Sequence, residues 1–131
     1  MKGKELDIQT RDGLMTTFVT VPEENGPHPI ILFLMDAPGK REELHDMARR
    51  FATVGYYVML PNLYYREVRS FTVHREDPAS AEYMFNLMSN LRNNMVARDA
   101  TSMIAYAEAD VAANPRYHGL SGYGVRPDKR A

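Results

Sequence analysis

The sequence contains no cysteine. Disulfides and a thiolate nucleophile are therefore excluded, and the composition fits a reducing compartment. No apolar run approaches the ~20 residues that a membrane helix needs. Met1-Lys2-Gly3-Lys4-Glu5 opens on polar residues with no apolar leader core, so a secretory leader is not expected. An excess of either charge is missing too. Sixteen Lys and Arg against 17 Asp and Glu leave a formal net charge of −1. That gives no basic footprint for nucleic acid and no strong field toward an anionic membrane. There is no internal repeat or low-complexity stretch. The expectation is a soluble, cytoplasmic chain without nucleic-acid or membrane partners. Its 131 residues, 44% of them hydrophobic, suit one domain with a real core.

The chain that is present reads as alternating strands and helices. Leu6, Ile8 and Thr10 alternate with polar residues, Asp12-Gly13 follows, and Met15, Phe18, Val19 and Val21 resume the apolar pattern. A DG pair between two such segments signals a hairpin, with strands over 4–10 and 14–21. Pro22 to Pro27 is a loop by composition. Pro29 to Met35 is continuously apolar, as in a strand covered on both faces. Leu44, Met47, Ala48, Phe51 and Ala52 form one helical face. Glu42 and Glu43 at its start and Arg49 and Arg50 near its end complement the helix dipole, and Gly55 marks its stop. Tyr56 to Leu60 is the next strand, stopped by Pro61. Strand, helix and strand with short links make a βαβ unit with a right-handed crossover. Residues 62–78 read as a polar loop, and helices are expected over 79–92 and about 95–113, ended by Asn114-Pro115. Nine methionines serve as adaptable core filler.

Residues 116–131 read as an irregular tail rich in glycine and arginine, after a domain spanning 1–115. No apolar run there suits a buried central strand. The four histidines, His28, His45, His74 and His118, are scattered, and none pairs at i, i+4 as helical metal ligands do. His45 lies off the apolar face of its helix and is expected in solvent. Gly119, Gly122 and Gly124 do not spell G-x-G-x-x-G, and no helical pattern follows them, so no phosphate cradle is expected. Neither a metal nor a cofactor is implied.

Three stretches together carry a family resemblance: Leu32 to Gly39, the helix Glu42 to Val54, and Gly55 to Arg66 with its Pro-Asn-Leu-Tyr-Tyr-Arg loop. They resemble the third strand, first helix and fourth strand of the dienelactone hydrolase family of α/β-hydrolases. Ala97 to Pro115 resembles the helix before the nucleophile elbow, so the likeness covers about residues 5–115. It implies an α/β fold that is a partial α/β-hydrolase: the hairpin and the βαβ unit, with three helices, on a short mixed sheet. It also implies hydrolysis of lactones or other small esters through a Cys or Ser nucleophile, with a small ester or lactone as substrate.

In such folds the nucleophile sits on a sharp strand-to-helix turn, and the acid and histidine follow in chain order. Gly122-Tyr123-Gly124-Val125-Arg126 stands where the family reads G-Y-C-x-G, which puts Gly124 at the nucleophile position. Ser121 is the serine candidate, but Tyr123 replaces the second glycine of its elbow, and a loop serine is the default reading. Only seven residues follow Gly124. The expectation is a chain truncated or altered in frame before or at the elbow, inactive alone. The resemblance assigns the backbone N–H of Ala37 to an oxyanion role, Asp36 to orienting a site partner, and Arg66 to substrate binding. From the residues alone, Asp36 reads equally as a helix cap and Arg66 as a surface cation. Without a fifth strand, the third would be an exposed apolar edge. The alternative function is accordingly a non-catalytic module that pairs with itself or a partner through that edge.

Overall fold

The Asp12-Gly13 pair closes the hairpin expected of it. The computed structural model describes residues 2–24, 26–74 and 76–122. In it β1 (Lys2–Thr10) and β2 (Gly13–Val21) run antiparallel, with Thr10 opposite Gly13. The Thr10 hydroxyl donates to the Gly13 carbonyl at 2.9 Å and accepts the Asp12 N–H at 3.1 Å. Gly13 has φ +138°, which a residue with a Cβ rarely adopts.

The apolar run becomes β3 (His28–Leu34), followed by α1 (Glu42–Thr53) and β4 (Tyr57–Pro61). Leu44, Ala48 and Ala52 of α1 are fully buried, and Phe51 packs edge-on against Phe33 with ring centres 5.4 Å apart. Then come α2 (Pro78–Asn90) and α3 (Asn93–Glu108). Asp77 caps α2 by accepting the Ala79 N–H at 3.0 Å, ahead of Pro78 in the first turn. α3 stops short of the expected residue 113 because Asp110 builds a turn. Its side chain accepts the Ala112 N–H at 3.0 Å and the Tyr57 hydroxyl at 2.7 Å, and its carbonyl accepts the Ala113 N–H at 3.1 Å.

The sheet has the order β1-β2-β4-β3-β5, where β5 is Ala113–Gly122. β3 runs parallel to β4 and β5, and β2 is antiparallel to β4. This is the mixed sheet with three helices expected of a partial α/β-hydrolase. β5 corrects two expectations. Residues 116–122 are strand rather than irregular tail; the remaining tail residues, 123–131, lie outside the described residues. β3 is also not an edge, because both its sides are hydrogen-bonded, from Ile30↔Tyr57 on one to Leu34↔Gly122 on the other. The proposed pairing through an exposed third strand thus loses its premise. The reason is tertiary: β5 lies outermost among the described strands and draws its ladder from β3, so it needs no apolar run of its own. Among the described residues no helix is long and apolar enough to cross a membrane.

Candidate active site

The strand order reverses at β3, which has β4 on one side and β5 on the other. In open α/β sheets the crevice beyond the carboxyl ends of the strands at such a point is where ligands bind. Here that end carries the loop 35–41 after β3, the loop that begins at Asn62 after β4, and the close of β5, where Gly122 stands opposite Leu34.

The loop after β3 is a closed turn. The Gly39 N–H donates to the Asp36 carbonyl at 2.9 Å, and Gly39 takes φ +91°. Arg41 grips the Asp36 carboxylate with both ends of its fork, at 2.5 and 3.0 Å, and donates to the Gly39 carbonyl at 2.9 Å. The helix-cap reading of Asp36 therefore fails, and the first residue before α1, Arg41, makes no side-chain cap. Asp36, Pro38 and Arg41 line a cleft of about 380 Å3 together with Glu43 and Arg50. Asp36 and Ala37 share the turn, and Ala37 is half-buried. The Ala37 carbonyl accepts the Tyr64 hydroxyl at 2.8 Å, while its N–H meets no acceptor among the described residues.

Tyr64 comes from the Pro-Asn-Leu-Tyr-Tyr-Arg loop, which Asn62 shapes. The Asn62 amide donates to the Val68 and Arg69 carbonyls, both at 2.9 Å, and its side-chain oxygen accepts the Tyr64 N–H at 3.1 Å. Burial, and then the Asp36 charge, push the Tyr64 hydroxyl up to about 12. It is thus a donor at any ordinary pH.

Arg66 is not a plain surface cation. Its fork holds both oxygens of Asp99, at 3.0 and 2.9 Å, and its Nε donates to Asp12 at 2.7 Å. Asp99 is only 1% exposed and also accepts the Tyr65 hydroxyl at 2.8 Å. The Tyr65 oxygen in turn bonds Thr10 at 2.8 Å. This cluster ties the hairpin turn, the loop after β4 and α3 together. Arg66 lines a small apolar cleft of about 170 Å3 with Leu63, Tyr64, Leu87 and Leu91. The structure therefore commits Arg66 to the carboxylates of Asp99 and Asp12.

Ser121 lies within β5, its backbone opposite Phe33, and not on a turn after the strand. Gly124 lies outside the described residues. Sequence reasoning missed Arg41, Asp99 and the brace formed by Tyr64. Only the five-residue spacing of Asp36 and Arg41 across a Pro-Gly turn hinted at the first.

His45 corrects another expectation: its side chain is 13% exposed, stacked on Phe18 with ring centres 4.3 Å apart. Nδ1 lies 3.1 Å from Glu42, while buried Nε2 has no hydrogen-bond partner among the described residues. Burial and the Lys40 charge lower its affinity for a proton, outweighing Glu42 and Glu5. The unfolded chain then binds the proton more tightly than the folded one. Stability is full above the ordinary imidazole value, begins to fall as pH drops through it, and is lost down to the lowered folded value. His45→Phe should flatten that decline in urea titrations run between about pH 7 and about pH 5; an unchanged slope would assign it to other groups. Among the described residues no three His, Asp or Glu side chains converge as a metal site would require.

Comparison with known proteins agrees with this layout. The model of the Dienelactone hydrolase family matches residues 15–125. A protein of Methylorubrum extorquens named "Putative carboxymethylenebutenolidase" is 28% identical over 91% of this chain and 40% of its own length. A Synechocystis protein of the same name is 24% identical over 84% of this chain and 50% of its own. The chain thus spans about half the length of these relatives. The crystal structure of a Klebsiella pneumoniae protein named "Putative Dienelactone Hydrolase" superposes with a TM-score of 0.78 at 22% identity, over 93% of this chain and 49% of that one. A dienelactone hydrolase-like promiscuous phosphotriesterase from metagenomic libraries gives 0.71 at 16% identity, over 93% and 48%. At such identities these likenesses establish the fold.

Proposed function

The chain belongs to the dienelactone hydrolase family, and from that premise we propose that it builds the oxyanion side of a hydrolase site for lactones or other small carboxylic esters. The observation that carries this is the Ala37 N–H. It sits at the carboxyl end of β3, has no acceptor among the described residues, and belongs to a turn held on several sides. Ester hydrolysis develops negative charge on the carbonyl oxygen, and a fixed, unpaired N–H stabilises that charge without reorganising. Asp36 acts here through Arg41, which it anchors beside the turn. Arg66 shapes the wall formed by the loop after β4. Absence of cysteine and of a membrane-crossing helix among the described residues supports a cytoplasmic site of action.

The chain as given is proposed not to turn over esters. It has no cysteine, and the backbone of Ser121 lies within the β5 ladder opposite Phe33. p-Nitrophenyl acetate hydrolysis by the folded chain is expected to match buffer, with Ser121→Ala indistinguishable from it. Turnover that disappears in Ser121→Ala would overturn this reading and make Ser121 the nucleophile.

A further inference from the structure

We propose that Tyr64 is a positioning residue for the Ala37 amide, its hydroxyl fixing the direction in which the loop N–H points. The inference deepens the proposed oxyanion role and rests on it. Ala37 lies between two peptide planes. The Asp36–Ala37 peptide is trans, since the cis bond among the described residues is Gly26–Pro27. In a trans peptide the C=O and the following N–H point in opposite directions. The Gly39 N–H draws the Asp36 carbonyl into the turn, so the Ala37 N–H is aimed out of it. The second plane runs from Ala37 to Pro38. Proline supplies no N–H, which leaves the Ala37 carbonyl as the polar handle on that plane. The Tyr64 hydroxyl holds it at 2.8 Å. Ala37–Pro38 is the middle peptide of the turn that the Gly39 N–H closes on Asp36, so Tyr64, in holding that peptide, holds the turn that aims the Ala37 N–H.

The support behind Tyr64 is rigid. The residue is 4% exposed and its ring packs edge-on with Phe71, centres 6.1 Å apart. Asn62 holds its N–H, and its carbonyl accepts the Glu67 and Val68 N–H groups, both at 2.9 Å. Ring packing alone needs no hydroxyl, and phenylalanine would fill the same space. The hydroxyls of two neighbouring tyrosines in the fold serve differently: Tyr57 bonds the Asp110 carboxylate and Tyr65 bonds Asp99. Tyr64 alone among these three grips the main chain of the site loop.

The test uses Tyr64→Phe in the 15N-labelled chain, with Tyr57→Phe as control. In an aligning medium the residual dipolar coupling of the Ala37 N–H reports its direction. The coupling should fall to about half in Tyr64→Phe as the amide samples several directions. It should stay unchanged in Tyr57→Phe, although both variants melt lower. An unchanged Ala37 coupling in Tyr64→Phe, or equal changes in both variants, would overturn the proposal. If Tyr64→Phe does not fold, the unmodified chain decides. A slowly exchanging Tyr64 hydroxyl proton with a cross-peak to the Pro38 α-proton, which lies on the carbonyl side of the trans Ala37–Pro38 peptide, is expected, and its absence sinks the idea. Titration of the unmodified chain with phenylphosphonate, followed at the Ala37 amide, separately tests the oxyanion reading. No shift there would remove that role while leaving the coupling result to stand by itself.

Discussion

Arg66→Met is expected to lower folding stability by about 3 kcal/mol, the low end for breaking a buried ion pair. The substitution keeps the stem and removes the fork, so Asp99 loses its guanidinium partner in a site where it is 1% exposed. Asp99 keeps the Tyr65 hydroxyl, which limits the loss. Arg66→Lys should recover part of it, because an ammonium cannot meet both carboxylate oxygens as the fork does. Asp12→Asn removes the outer end of the cluster, where the carboxylate is 36% exposed, and should change stability much less than Arg66→Met does. Urea unfolding of the three variants reads these differences. The comparison also separates two roles for Arg66. A guanidinium kept for a substrate would leave the fold nearly unchanged when removed, whereas a scaffold cation would not. Equal, small losses in Arg66→Met and Asp12→Asn would show that the Asp99 pair contributes little.

Asn62→Ala should cost about 1–3 kcal/mol, because it leaves three backbone groups without their partner at once, one buried and two part-buried. The Val68 and Arg69 carbonyls lose their donor and the Tyr64 N–H loses its acceptor. Asn62 is itself buried, so water does not replace these partners at full value. Asn62→Asp keeps the acceptor for Tyr64 but loses the two donor contacts, and should fall between. The urea midpoint is the measurement. A loss below about 0.5 kcal/mol, as at ordinary surface positions, would mean that the loop holds its shape without Asn62. Amide exchange at Glu67 and Val68, whose N–H groups bond the Tyr64 carbonyl, should quicken in Asn62→Ala ahead of global unfolding.

Much of the fold was legible because local signals agreed. Asp12-Gly13 between alternating segments fixed the hairpin. The 3.6-residue stripe from Leu44 to Ala52 fixed α1, and the unbroken run from Pro29 to Met35 fixed a doubly covered strand. The Pro-Asn-Leu-Tyr-Tyr-Arg loop, read with the turn after β3, was enough to point to the family. The site was less legible. Ala37 was placed by resemblance, since a backbone N–H has no signature in composition. Arg66 was given a substrate role by the resemblance and read as a surface cation from the residues alone, because a lone arginine after a strand does not reveal its partner. That partner, Asp99, lies 33 positions on, in the middle of a helix. His45 sat off the apolar stripe and was read as solvated, but Phe18 of β2 covers its ring.

The sequence by itself determined the order of elements, the covered nature of β3, the lack of a thiol nucleophile and the family likeness. Each of these depends on contacts within a few residues or on composition. Only the tertiary structure decided that 113–122 form a strand, that β3 lies inside the sheet, and that Tyr64 and Arg41 hold the turn around Ala37. These depend on hydrogen bonds between segments far apart in the chain. A polar stretch such as Asn114 to Gly122 carries no pattern that reveals a partner's ladder. Its strand exists because β3 offers unpaired N–H and C=O groups along that side, and leaving them unpaired would cost more than ordering the segment.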